Sequence, residues 1–130
     1  MIHPGITAGR VMATVMAVLL GLGIAAGNGA LAQMVGTGET VTLRGLDKVS
    51  GDTTDFELSV GARAELGRLQ ITHVGCRFPV DDPASDAWAF LEIHDRLRGE
   101  QLFRGWMTAA SPALNALDDP RYDVWVLGCQ

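Results

Sequence analysis

The sequence is short of positive charge. Lysine and arginine together number 10 against 15 aspartates and glutamates, a formal net charge of −5. Nucleic-acid grooves and anionic membrane surfaces select for Lys and Arg, so the acidic balance argues against either as the main partner. Aromatic residues are few at 6% and charged residues make up 19%, yet 48% of the chain is hydrophobic. That apolar share is ordinary for a globular protein and too high for a disordered one. The usual catalytic signatures are missing too: the chain has no G-x-S-x-G, P-loop or H-E-x-x-H. No motif therefore argues for nucleophilic, phosphoryl-transfer or zinc-peptidase chemistry. With 130 residues and no internal repeat, low-complexity tract or linker, a single domain is expected.

No charged residue lies between Arg10 and Glu39. Inside that gap Val11 to Ile24 form an apolar run, Arg10 supplies a positive flank, and Ala30-Leu31-Ala32 precedes Gln33. This is the three-part form of a secretory signal peptide, with cleavage expected after Ala32. The apolar run is shorter than the ~20 residues a spanning helix needs, and Gly21, Gly23, Gly27 and Gly29 weaken its distal end. A permanent membrane span is not expected. No cysteine lies near the cleavage point and Arg10 has no arginine neighbour, so neither a lipid anchor nor the twin-arginine route is expected. The organisation is a signal peptide over residues 1–32 and one β-rich domain over 33–130, periplasmic or secreted. A domain near this size folds alone only marginally, so a covalent staple would help.

Cys76 and Cys129 are the only cysteines, and both fall in the exported part. In an oxidising compartment two cysteines read as one disulfide. Closing a loop of about 50 residues is worth roughly 4 kcal/mol in loop entropy. The rival is a zinc or redox site built on the H-x-x-C of His73 and Cys76. On a regular strand those two side chains point to opposite faces, no C-x-x-C exists, and zinc needs further ligands.

The mature chain reads as strands and turns. Residues 33–38 are expected to be a flexible lead-in. Thr40–Arg44, Phe56–Val60 and Leu66–Val74 alternate polar and apolar, as half-buried strands do. Trp88–His94 fits a helical face as well but is assigned as a strand. Arg96–Glu100 is a hairpin loop, and Leu102–Ala109 is the return strand, where Gly105 suggests a bulge or a close backbone approach. Ser111 and Pro112 suit the start of one short helical turn through Leu117. Tyr122–Leu127 is apolar on both faces after Asp123, which predicts a central strand covered on both sides. The fold class is all-β: a small antiparallel β-sandwich or barrel with one short helical turn and one disulfide.

The segments Leu43–Gly51, Ala89–Ile93, Phe103–Leu117 and Pro120–Cys129 resemble an exported bacterial family catalogued as domain of unknown function 2155. The Gly-Trp-Met, Ser-Pro-Ala-Leu and Tyr-Asp-Val-Trp-Val stretches carry the resemblance across nearly the whole mature chain. It implies a periplasmic domain with a bridge between Cys76 and Cys129, and it supplies no function. The chain departs from the family pattern at Asp118-Asp119, where Glu-His precedes the proline, and at Thr108, where Phe stands.

Candidate chemistry is sparse. His73 shares a strand face with Leu69 and Ile71, which reads as a hydrogen-bonded core histidine. Glu92 and His94 lie two residues apart on one face, either an acid–base pair or a solvated surface. Asp81, Asp82, Asp118, Asp119 and Asp123 offer hard oxygens without the spacing of a calcium loop, so no metal or other cofactor is expected. Trp125, between Val124 and Val126, is expected in the core. Trp106 alternates with Phe103 and Met107 and is expected to point outward, packed on the Arg104 stem or free to stack on a sugar or anchor a protein. The candidate binding surface is therefore Trp106, Asp118, Asp119 and Tyr122. The leading functional reading is a non-catalytic domain that binds another cell-envelope component, an unknown protein or glycan. Its rivals are a small-ligand or glycan-binding module using Trp106 and Tyr122 and, more remotely, a hydrolase with dispersed carboxylates.

Overall fold

The computed structural model describes residues 33–130, together with Ile2 and Gly5. The signal segment expected over residues 1–32 lies, those two residues apart, outside the described residues. From Val35 onward the chain forms eight strands: β1 (Val35–Gly38), β2 (Thr40–Asp47), β3 (Thr53–Ser59), β4 (Arg63–Leu66), β5 (Leu69–Pro79), β6 (Trp88–Asp95), β7 (Glu100–Thr108) and β8 (Tyr122–Cys129). Among the described residues the one helical element is a 3₁₀ turn at Pro112–Leu114. It is shorter than the turn predicted through Leu117, and the Ser111 side chain does not cap it. Among the described residues no helix is long and apolar enough to cross a membrane.

All strand pairs are antiparallel. One sheet runs β1-β5-β6-β7 with β4 beside β5, and the other runs β3-β2-β8. Their inner faces share one core. The larger sheet contributes Leu69, Ile71, Leu91, Ile93, Phe103 and Met107, and the smaller contributes Val41, Leu43, Leu58, Val124 and Val126. The alternation seen in the sequence produces this. In β6, Ala89, Leu91 and Ile93 are fully buried while Trp88, Phe90, Glu92 and His94 between them are half-buried on the outer face. Removing Leu91 and Ile93 from water stabilises the fold by roughly 1.5–3 kcal/mol each. Cys76 on β5 and Cys129 on β8 are joined, with their Cα atoms 6.0 Å apart, so the bridge ties one sheet to the other.

Three β-bulges shift the phase of these strands. On β5, His73 pairs with Leu91 and Gly75 with Phe90, leaving Val74 as an extra residue. On β8, Val126 pairs with Leu43 and Gly128 with Thr42, leaving Leu127 extra. On β7, Leu102 is the extra residue between Gln101 and Phe103, so the bulge expected near Gly105 lies three residues earlier. Gly105 is instead a close approach, because a Cβ there would sit 3.0 Å from Nδ2 of Asn115. An extra residue reverses which parity faces the core. Leu69, Ile71 and His73 point inward at odd positions, and after Val74 the even-numbered Cys76 does so. Tyr122, Val124 and Val126 point inward at even positions, and after Leu127 the odd-numbered Cys129 does so. His73 and Cys76 therefore face the same way, contrary to the expectation for a regular strand.

Other expectations are also corrected. The lead-in is a strand: β1 lies along the end of β5, and Gly38 lies against the disulfide, where a Cβ would overlap Sγ of Cys129. The single strand predicted over Leu66–Val74 is split between β4 and β5 by a turn at Gly67, which adopts φ +55°. β8 is an edge strand, buried on one face only. Trp125 accordingly lies half-buried on the outer face, its indole N–H donating to Asp123 at 3.0 Å, and is not core.

Deleting Val74 is expected to prevent the bridge, since Cys76 and the Leu69–His73 set could no longer face the core together. Alkylation of the purified, unreduced protein followed by mass measurement should find two thiols in the deletion variant and none in the parent. A bridged deletion variant would refute this role for the bulge.

Candidate functional site

The outer face of the five-stranded sheet carries the most distinctive surface. The Val74 bulge that turns Cys76 inward turns Arg77 outward. There it lies beside Trp88, its register partner on β6, and opposite Thr37 on β1. Nη1 of Arg77 donates to Oγ1 of Thr37 at 2.8 Å. Its guanidinium also lies 5.9 Å from the centre of the Trp106 ring, within cation–π range. Trp106 on β7 pairs with Phe90 on β6, and their rings meet edge to face at 5.5 Å and 83°. Arg104, two residues before Trp106, lies over the Phe90 ring at 5.8 Å and donates from Nε to Glu92 at 3.1 Å. Trp106 remains 43% exposed within this framework. Its ring is held by neighbours on both sides, so it presents a pre-ordered apolar surface. Nδ2 of Asn115, from the segment after the 3₁₀ turn, donates to the Trp106 carbonyl at 2.9 Å and fixes the strand edge.

Two shallow grooves meet at Arg77 and Trp106. One, of about 290 Å³, runs toward Val35 and Trp88, and the other, of about 400 Å³, toward Val74, Phe90 and Arg104. No acidic side chain lines either groove.

The remaining residues of the predicted surface lie elsewhere and serve another purpose. Asp118 is exposed, whereas Asp119 is 4% exposed and Tyr122 6%. Oδ1 of Asp119 accepts the backbone N–H groups of Arg121 and Tyr122, both at 2.9 Å, and Oδ2 accepts from Nη2 of Arg68. Lys48 donates to the Asp119 carbonyl at 2.6 Å. Asp119 is thus the carboxylate that ties the turn before β8 to the β4–β5 turn. The Tyr122 hydroxyl packs over Gly67, where a Cβ would overlap it, and Arg68 lies over its ring at 5.5 Å. Asp119 and Tyr122 are therefore structural, and neither belongs to an exposed recognition surface. Their burial is imposed by Gly67 and Arg68, about 50 residues away, which no local pattern reveals.

Glu92 and His94 do share the outer face, but Glu92 is engaged by Arg104 and the two make no hydrogen bond to each other among the described residues. His73 is fully buried, with Nδ1 2.9 Å from the Leu58 carbonyl, as expected for a core histidine. Asp123 caps its own strand, accepting from the Val124 N–H and the Trp125 indole. Among the described residues no three His, Cys, Asp or Glu side chains converge as a metal site would require. The residues that sequence reasoning missed are Arg77, Trp88 and Phe90. Trp88 and Phe90 were legible as the outward positions of an alternating strand, but Arg77 was not, because the bulge reverses its side.

A family model described as an uncharacterized protein conserved in bacteria, domain of unknown function 2155, matches residues 41–129. No curated protein and no solved structure matches the chain.

Two predictions concern the corner around Asp119. Asp119→Ala should lower unfolding stability by about 3 kcal/mol in urea titration, near the lower end for a broken buried pair because Arg68 keeps some solvent. Asp118→Ala should change it by less than about 0.5 kcal/mol. Equal effects would refute the division between the two aspartates. Nearby, hydrogen bonds from the Arg121 guanidinium hold the Asp47 carboxyl below its ordinary range. A carboxylate depressed on folding stabilises above its unfolded pKa of about 3.9 and loses that contribution as pH falls through the folded value. The stability gap between parent and Asp47→Asn should therefore be full near neutrality and close below about pH 4. A gap independent of pH would refute the ion pair as its source.

Proposed function

The chain belongs to the uncharacterised bacterial family of domain of unknown function 2155, and from that premise we propose that it is an exported, non-catalytic domain that binds another component of the cell envelope through the outer face of its five-stranded sheet. The observation that carries the reading is Trp106. A large aromatic side chain left 43% exposed, yet braced by Phe90 and Arg77, has the character of an interface anchor. Phe90 and Arg77 already restrain the ring in the free domain, so less side-chain entropy would be lost on docking. Periplasmic placement is supported by the signal-like segment before Gln33 and by the buried bridge, since such bridges persist in oxidising compartments. The non-catalytic reading is supported by the engagement of Glu92 by Arg104 and of Asp119 by Arg68, which takes up two of the carboxylates considered for acid–base chemistry.

A photo-crosslinking residue at position 104, beside Trp106, should capture a partner in intact envelopes, while the same residue at position 54 on the opposite sheet should not. Trp106→Ala should weaken capture by roughly 30-fold, the scale of an aromatic hot spot. It should cost the domain only about 1 kcal/mol of stability, the scale of one aromatic pair. Undiminished capture by Trp106→Ala, or loss of the fold in that variant, would overturn the reading.

A further inference from the structure

We infer that the grooves meeting at Arg77 receive an acidic peptide segment in which a carboxylate side chain is flanked by apolar ones. This rests on the reading of the outer face as the binding surface and adds the chemistry of the ligand. Arg77 is the first observation. The ion pairs among the described residues use the arginines at 44, 68, 96, 98, 104 and 121, and Arg77 is not among them. Its hydrogen bond to Thr37 occupies Nη1 and leaves Nε and Nη2 available for the two oxygens of a carboxylate.

The character of the walls is the second observation. The side chains of Val35, Arg77, Trp88 and Trp106 offer hydrogen-bond donors and no carboxylate or amide acceptor. Sugar hydroxyls both donate and accept, and these walls complement only their accepting side. A carboxylate only accepts, and it matches the walls on both counts of charge and hydrogen bonding. The third observation is shape. Largely apolar surface continues from Arg77 in two directions, past Trp88 to Val35 and past Trp106 to Phe90 and Val74, where Arg104 adds a second cation. A cation between two apolar grooves matches the sequence apolar–acidic–apolar along a chain better than it matches a single small anion. The protein's net charge of −5 gives no long-range attraction for such a segment, so recognition depends on this local patch.

The test uses the purified, bridged protein and two synthetic peptides, acetyl-Ala-Leu-Glu-Leu-Ala-amide and its glutamine counterpart, followed through the three indole N–H resonances by NMR. The glutamate peptide should shift Trp88 and Trp106 and leave Trp125 in place. The glutamine peptide should bind roughly tenfold more weakly, the loss expected for a charge-assisted pair. Arg77→Gln should reduce the glutamate peptide to the level of the glutamine one without altering the latter. Arg63→Gln, at an exposed arginine on β4, should change neither. Equal binding of the two peptides would overturn carboxylate recognition and leave the face as a binding surface. Chitotriose shifting the same indoles at lower concentration than the glutamate peptide would overturn it in favour of a sugar. If no probe moves Trp88 or Trp106, the acidic-peptide inference fails, and crosslinking at position 104 judges the binding reading separately.

Discussion

Val74 has no partner on β6, and the phase of β5 changes there. Before it, odd-numbered residues face the core; after it, Cys76 does. The same reversal places Arg77 on the outer face, between Trp88 and Trp106. One inserted residue thus determines both the staple that holds the two sheets together and the cation at the centre of the candidate site. Bulges concentrate where a strand must re-aim a side chain, and this one re-aims two in opposite directions. Leu127 performs the matching shift on β8, so that Cys129 arrives on the inner side of its own sheet. Neither cysteine would meet the other on two regular strands that kept their starting phase.

The second organising element is the charged corner around Arg68. Arg68 reaches Asp119, lies 3.5 Å from Asp95 and covers the Tyr122 ring. Asp95 in turn caps the β6–β7 turn by accepting the N–H groups of Leu97 and Arg98. Three turns far apart in sequence are therefore held by one guanidinium. Breaking a buried pair of this kind leaves an uncompensated charge, so the corner is intolerant of single replacements even where each contact contributes modestly. The outer sheet face takes no part in this network, which is confined to Arg68, Asp95, Asp119 and Tyr122. Trp106, exposed, and Arg77, half-buried, therefore lie outside the contacts that hold these three turns.

How far this could be read from sequence depended on the range of the interaction concerned. Strand identity is local, and the alternation in Phe56–Leu58, Leu69–His73 and Ala89–Ile93 is a direct record of which side faces the core. The outward setting of Trp106 followed from the same alternation with Phe103 and Met107. Bulges are properties of a strand pair, so neither the turn of Cys76 and Cys129 into the core nor the emergence of Arg77 is written in either strand alone. Burial of Asp119 and Tyr122 depends on Gly67 and Arg68, and hydrophilicity in a proline-bearing turn suggested the opposite. Tyr122–Leu127 looked doubly covered because Trp125 and Leu127 are apolar. Yet the strand lies at a sheet edge, with Leu127 43% exposed and Trp125 resting on Asp123. Composition reports apolar residues, and only topology reports which of them find cover.

Gly38 gives the bridge a lid with no side chain. Because β1 passes directly over the joined sulfurs, Cys76 is fully buried and Cys129 nearly so. A thiol approaching the sulfurs from this side must wait for β1 to lift from β5, an excursion that breaks four register pairs and the Arg77–Thr37 hydrogen bond while β5 keeps its pairing with β6. Exchange from this side then requires the opening of one short segment and not global unfolding. The rate at which a reductant reaches the native disulfide from this side then reports the opening of β1 from β5, a different quantity from the stability of the core beneath it.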